Sequence, residues 1–420
     1  MKNTSSKRNT LAGSVGNILE WYDFAVFGFL APVMSGLFFP SDDPLAGLVK
    51  TYGVFAAGYL MRPLGGIIFG NISDRLGRKK ALQLSIMMMA LPTFLVGCLP
   101  THDQVGAMAA VLLITLRLFQ GVSVGGELVS SISYLVETAP PEKRGYQGSW
   151  TLFTAVGGIL LGSALVTTMH NTISVEAMQE WGWRLPFLSG IIIAGVGIWL
   201  RKSLPESPEF EKAKGKGEIA DSPVKMALKE APGRILQLSA MILLYGTGFY
   251  MLFVWMPTYY SKIIQPPIEH ALMVNTISMI FLICVIPVAG WLSDRFGRKK
   301  ILSIGIICTG VSAYPLFSLI DTGVMMYALT AQLIFALFIG LIQGPTPALM
   351  VEMFPAKIRN SAIGIGYNLT LAIFGGTAPL ICTWLIKESG DIAAPAIYLI
   401  VLAVISLIAL STVKIKDGES

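Results

Sequence analysis

The chain has 420 residues, 54% of them hydrophobic and 13% charged, with a mean hydropathy of +0.66. A soluble domain carries about 25% charged residues, so this composition excludes an ordinary soluble globular protein and points to a polytopic membrane protein. The net charge of +6 does not mark a nucleic-acid binder, because the basic residues cluster in short loops between apolar runs.

The chain opens with Lys2, Lys7 and Arg8 ahead of an apolar stretch, as a signal peptide would. That stretch, "GNILEWYDFAVFGF" at 16–29, carries Glu20 and Asp23 at its centre, and no small-residue cleavage site follows, so it reads as the first membrane helix. A span needs about 20 apolar residues. Twelve are expected, at 11–38, 46–70, 81–100, 105–136, 147–169, 184–201, 235–261, 269–291, 301–320, 323–350, 359–385 and 391–413. Between the sixth and seventh, "RKSLPESPEFEKAKGKGEIADSPVKMALKEAPGR" is charged and Pro/Gly-bearing. The organisation read from this is a six-helix bundle over 1–201, a cytoplasmic linker over 202–234 and a second six-helix bundle over 235–420. Cys98, Cys284, Cys308 and Cys382 lie in apolar spans with no CxxC pair and read as inert buried thiols, not metal ligands or disulfides.

With both termini inside, the inner segments hold 25 of the 31 Lys and Arg; Lys50, Arg184, Lys262 and Lys387 fall outside, and Arg62 and Arg117 fall within spans. That bias sets the orientation. The halves also repeat. "GNISDRLGRKKAL" at 70–82 recurs as "GWLSDRFGRKKIL" at 290–302, and "ETAPPEKR" at 137–144 recurs as "EMFPAKIR" at 352–359. Two unrelated motifs at nearly one offset indicate duplication. The expected fold is therefore all-α, with twelve transmembrane helices in two pseudo-symmetric bundles.

The repeated G-x-x-x-D-R-x-G-R-K-K motif resembles the signature of the major facilitator superfamily. Within it, "GNILEWYDF", "RPLGG" at 62–66, "QGVSVGGE" at 120–127, "KRGYQGSW" at 143–150 and "GWRLPF" at 182–187 resemble the metabolite/proton symporter family. That bacterial family includes proline/betaine, citrate, 2-oxoglutarate and shikimate transporters. The seventh helix, "FYMLFVWMPTYYSK", looks most like the proline/betaine branch. Two features depart from it: the chain ends at "STVKIKDGES", short of the coiled-coil tail of some osmoregulatory members, and Arg117 in the fourth helix looks more like the carboxylate transporters. The resemblance implies a non-enzyme of the bacterial inner membrane, with both termini cytoplasmic. It implies a monomer among lipids, with a small molecule and protons as partners, no nucleic acid and no cofactor.

A carboxylate at the bilayer centre is costly and faces a cavity or a partner. Glu20 and Asp23, three apart, share a helix face, and Arg117 and Arg62 are the basic residues within spans. An acid–base pair between the first and fourth helices resembles the proton-coupling pair of sugar/proton symporters, so Asp23 with Arg117 is the expected coupling pair. Glu20 and Glu127 are further proton-site candidates, and Glu127 is alternatively a partner for Arg62. Arg117, Tyr22, Arg62 and Gln120 are the substrate-binding candidates of the first half. The second half has no ionisable residue deep in its spans, and offers Tyr245, Tyr250, Trp255, Gln343, Tyr367 and Asn368, an aromatic set suited to a quaternary ammonium. In the superfamily the motif carboxylate, here Asp74 or Asp294, caps a helix N-terminus in the other half, where the macrodipole favours an anion. Arg75, Arg78, Glu137 and Arg144, with their repeats Arg295, Arg298, Glu352 and Arg359, would form inner-side ion-pair networks that act as gates. His102, His170 and His270 fall in outer loops, away from any proton relay, and no phosphate-binding loop is present, so an ion gradient is the expected energy source. The expected function is proton-coupled uptake of a small metabolite bearing a carboxylate, an organic acid or a zwitterion. The alternative is antiport that exports a drug or metabolite; the proline-free fifth helix favours symport.

Overall fold

The computed structural model describes residues 2–42, 44–202, 204–268 and 270–414. The side chains of Lys2, Lys7 and Arg8 and the terminal residues 415–420 lie outside the described part. Among the described residues the regular structure is helical, and twelve helices are long and apolar enough to span a bilayer. They are α1 (Ala12–Phe38), α2 (Val49–Leu76), α3 (Arg78–Cys98), α4 (Met108–Glu137), α5 (Pro141–Thr172) and α6 (Arg184–Lys202), then α7 (Pro232–Ile263), α8 (Ala271–Phe296), α9 (Arg298–Asp321), α10 (Met325–Glu352), α11 (Arg359–Ser389) and α12 (Ala394–Thr412). Two short helices, Pro208–Gly215 and Pro223–Glu230, lie in the stretch read as a linker. Large apolar side chains such as Ile192, Val311 and Leu380 stand exposed, as they do on a surface that meets lipid.

The charged motif 71–80, expected as a loop, is helical except at one residue. Gly77 alone separates α2 from α3, and Gly297 alone separates α8 from α9. Their φ values of 102° and 96° lie where a side chain would be strained. Charged side chains extend these helices past the apolar run because they bond to neighbouring turns: Arg78 Nη1 donates to Ser73 O at 3.1 Å and lies 3.4 Å from Asp74.

The chain forms two compact units. One comprises residues 1–135 and 154–224, the other residues 136–153 and 225–420. In the first unit α2 and α4 meet backbone to backbone. A Cβ on Gly121 would lie 2.0 Å from Gly58 O, and one on Gly125 would lie 2.2 Å from Arg62 O. That close approach is what the "QGVSVGGE" glycines provide. In the second unit α7 and α11 depart from α-helical geometry: α7 is π-helical over Tyr250–Trp255 and Tyr259–Ile263, and α11 over Leu371–Gly375. Such wide turns free carbonyls and are frequent at functional sites.

Candidate functional site

In the first unit two buried clusters of ionisable side chains lie along α1. The first is centred on Asp23, which is fully buried. Arg117 Nη1 of α4 forms an ion pair with it, and Gln120 Nε2 and Thr93 Oγ1 donate to its Oδ1 at 2.9 and 3.0 Å. Gln120 Nε2 also donates to Thr93 Oγ1 at 2.8 Å. Three donors, one of them charged, thus converge on this carboxylate. Phe27 lies 3.8 Å under the Arg117 guanidinium, a cation–π contact. Arg117 Nε and Nη2 and Gln120 Oε1 are buried without a hydrogen-bond partner among the described residues. Tyr22, one residue before Asp23, donates to Pro186 O at 2.8 Å and lies 2.9 Å from Ser189 Oγ, so its hydroxyl is tied to α6.

The second cluster is centred on Glu127. Its carboxylate is held by both terminal nitrogens of Arg201, from the end of α6, and by the Ser85 hydroxyl of α3. Arg201 is itself fully buried, and its Nε donates to Ala12 O at 3.0 Å. Contrary to one reading of the sequence, Glu127 does not hold Arg62: the α6 terminus carries Arg201 to the carboxylate, while Arg62 stacks 5.1 Å from the Tyr59 ring. Asn17 Nδ2 donates to Ser131 Oγ at 3.0 Å, which joins α1 to α4 beside this pair. Glu20 is 1% exposed, and neither of its oxygens has a hydrogen-bond partner among the described residues. Arg62 and Glu127 are the charged side chains whose fields act on it.

Sequence reasoning missed Arg201, which reads there as one more membrane-boundary cation. It also missed Glu206. That carboxylate accepts from the main-chain N–H of Arg78 at 2.9 Å and of Lys79 at 3.2 Å, so it caps the first turn of α3. Phe210 packs 5.3 Å from the Arg78 guanidinium. The stretch read as a plain connector is therefore docked on the duplicated motif, and the acid within "LPESPEF" was the available signal.

In the second unit, Asp294 of α8 accepts from the main-chain N–H of Gly145 at 2.7 Å and Tyr146 at 2.8 Å, in the first turns of α5. Gly145 and Gly290 permit this approach: a Cβ on either would lie 2.6 Å from the other's carbonyl oxygen. Arg298 reaches Asp294 at 3.3 Å and Glu352 at 2.8 Å, and Arg359 reaches Glu137 at 2.6 Å. Arg144 contributes its charge near Glu352. Arg295 stacks 4.1 Å from the Trp291 ring, and Arg75 is exposed and makes no ion pair among the described residues.

The polar and aromatic candidates of the second unit sit on and around the π-helical segments of α7 and α11. Tyr245 and Tyr367 meet with hydroxyls 3.5 Å apart, Tyr250 packs edge-on against Phe249, and Trp255 lies 4.9 Å from Tyr259 while its Nε1 donates to Thr383 Oγ1 at 3.1 Å. Asn368 Nδ2 bonds back to Gly364 O at 2.9 Å, and Gln343 Oε1 is buried without a hydrogen-bond partner among the described residues. The wide turn of α7 is supported by residues that the sequence did not mark. Gln332 Nε2 donates to Leu252 O, Asn275 Nδ2 donates to Phe253 O at 3.0 Å, and the Tyr260 hydroxyl donates to Gln332 Oε1.

Residues 9–245 match the family model for sugar (and other) transporters, and residues 265–419 match that of the major facilitator superfamily. A proline/betaine transporter of Salmonella typhimurium is 35% identical over 407 residues, covering 94% of this chain and 81% of the relative. A citrate-proton symporter of Klebsiella pneumoniae is 33% identical over 395 residues, covering 94% of this chain and 88% of the relative. The solved structure of the proton:xylose symporter XylE bound to 6-bromo-6-deoxy-D-glucose superposes with a TM-score of 0.79 at 18% identity, covering 98% and 95% of the two chains, a likeness of fold. With twelve apolar helices, a duplicated charged motif and relatives aligned over nearly its full length, this chain is a multi-pass membrane protein that belongs to the major facilitator superfamily of transporters.

Proposed function

We propose that the protein takes up a small organic metabolite bearing a carboxylate, together with protons, by alternating access across the bacterial inner membrane, with both termini cytoplasmic and no cofactor. The halves 1–201 and 235–420 are the moving bodies, joined by 202–234. The observation that carries the reading is the buried Asp23–Arg117 pair, whose arginine keeps Nε and Nη2 without a hydrogen-bond partner among the described residues. That guanidinium edge presents two parallel N–H groups, the geometry that grips a carboxylate bidentately. The relatives named for proline/betaine and for citrate with protons fit a carboxylate-bearing substrate.

In the resting state Asp23 is ionised and paired with Arg117. A proton arriving from outside converts Asp23 to the neutral acid, and its ion pair with Arg117 weakens to a bond between a cation and a neutral carboxyl. The guanidinium then takes the substrate carboxylate as counter-ion. Proton and substrate load together because either one alone leaves an unpaired charge in the buried site, which is costly to carry across the barrier, while the two together leave none. On the inner side both leave and the pair re-forms. Gln120 and Thr93 hold the Asp23 carboxyl in place through this exchange. The ion pairs of Asp74, Asp294 and their arginines serve as gates.

Asp23→Asn mimics the protonated acid. In proteoliposomes it retains substrate counterflow and loses accumulation driven by a proton gradient, while Arg117→Ala loses substrate binding itself. Accumulation by Asp23→Asn under a proton gradient alone would remove Asp23 from the coupling role and pass it to Glu20.

A further inference from the structure

We infer that the groove between α3 and α6 is a binding site for one anionic phospholipid of the surrounding membrane. The groove has a volume of about 370 Å³ and lies wholly in the first unit. Lys80, Leu84 and Met87 are spaced i, i+4, i+7 along α3 and share one face, and Ile198 and Lys202 are spaced i, i+4 along α6. α3 begins at Arg78 and α6 ends at Lys202, and Gln83 Nε2 of α3 donates to Arg201 O at 3.4 Å. Both lysines therefore stand at the same end of the groove, and the aliphatic side chains follow from that end into the apolar part of the spans. Leu84 and Met87 are 42% and 56% exposed, so the apolar wall is open along the outer surface of the unit.

The charges at the mouth select the occupant. Neither lysine has a carboxylate partner among the described residues. The neighbouring Arg201 is turned inward onto Glu127, and the nearby acid Glu206 is engaged by the main chain of Arg78 and Lys79. Two ammonium groups above an aliphatic trough fit a phosphodiester above an acyl chain. Trp199, the residue after Ile198 on α6, is 64% exposed within one turn of Lys202, and an indole near a helix end suits the headgroup region. Basic pockets between helices at the inner membrane surface bind anionic headgroups in this manner. Generic charge bias accounts for lysines at a boundary; it does not account for a shaped trough with two of them at one end.

The test is native mass spectrometry of the full-length protein released from mixed phosphatidylglycerol/phosphatidylcholine nanodiscs, counting the lipids retained as the collision energy is raised. The wild type keeps one phosphatidylglycerol in preference to phosphatidylcholine. Lys80→Gln/Lys202→Gln lowers that preference on the order of tenfold, as expected for two lysines at a membrane surface. Lys299→Gln/Lys300→Gln removes the same charge from the repeated motif and leaves the preference unchanged. Equal retention by the groove variant, or an equal loss in the Lys299/Lys300 variant, overturns the site. Retention of phosphatidylcholine in place of phosphatidylglycerol by the wild type overturns it as well.

Discussion

Gly16 of α1 lies directly against the Glu127–Arg201 ion pair: a Cβ there would stand 1.9 Å from Glu127 Oε1 and 2.6 Å from Arg201 Nη2. The glycine that opens "GNILEW" is thus the space in which a buried pair closes. Its carboxylate is held on two sides, so it cannot swing away without giving up Arg201 or Ser85. Gly16→Ala should break the pair, and so should Glu127→Gln or Arg201→Met alone. Each leaves a buried charge without its partner, at a cost of about 3–5 kcal/mol. Thermal unfolding of the purified protein would show a lowered midpoint for all three. Glu127→Met/Arg201→Met should recover most of the loss, because an apolar pair leaves no charge behind. A double variant as unstable as the single ones would give Glu127 a role beyond pairing.

The same cluster shows what a sequence can and cannot disclose. The twelve spans are legible because hydropathy measures a property of each segment by itself. That Asp23 and Arg117 each need a buried partner is legible because charges deep in apolar spans are costly; that they pair with each other, and not with Arg62 or Glu20, comes from the resemblance to sugar/proton symporters. Arg201 is not legible in this way: it opens a run of charged residues at a span end, where a solvated anchor has the same signature as a buried partner. Only the rotation of α6 about its axis separates the two, and that rotation is set by packing against α1 and α3. Glu206 is hidden for a related reason, since capping of α3 depends on where the chain folds back and no periodicity records that. Gln332 and Asn275 are hidden because the π-helical turn of α7 that they serve has no local marker in its residues.

Asp294 supplies a test of gating. Its two oxygens accept from successive main-chain N–H groups at the start of α5, and Arg298 stands 3.3 Å away. Asp294→Asn keeps the shape and removes the anion. The lost interaction with the helix N-terminus is about 1–2 kcal/mol in a partly buried setting, which shifts a two-state population roughly tenfold. Accessibility labelling of a cysteine introduced in α5 should report that shift, with slowed transport and unchanged membrane insertion. Asp74→Asn should act in the same direction through its pair with Arg78. Unchanged labelling and unchanged rates in both variants would leave the carboxylates as structural caps.

Glu206 makes a separate prediction about the stretch after α6. Glu206→Ala removes the cap on Arg78 and Lys79 and should destabilise the first turn of α3 by about 1 kcal/mol. Hydrogen exchange should then quicken over 204–213 and at the start of α3, with the rest of the protein unaffected. Gln at this position retains an acceptor and should recover part of the protection. Uniform exchange across the chain would mean that the docked segment has no stability of its own to lose.

The substrate class can be tested at Arg117 without disturbing its charge. Nη1 serves Asp23, while Nε and Nη2 form the paired donor edge assigned above to a carboxylate. Arg117→Lys keeps one cation beside Asp23 and removes the planar fork, so the bound carboxylate loses one of two charge-assisted bonds. Such a bond contributes about 1.5–3 kcal/mol, so substrate affinity should fall roughly 10- to 150-fold, with the transporter still folded. Phe27 stays beneath the cation and limits where the ammonium can move. Thermal shift of the purified wild type against amino acids, betaines and di- and tricarboxylates identifies the substrate first, and the same ligand is then titrated against the variant. A neutral sugar lacks the anionic fork that would match Arg117, so it should not stabilise the wild type. Stabilisation by a sugar, with no response to any carboxylate, would reject the carboxylate assignment. Equal affinity of Arg117→Lys and the wild type for a carboxylate would show that the substrate is gripped elsewhere and that Arg117 serves Asp23 alone.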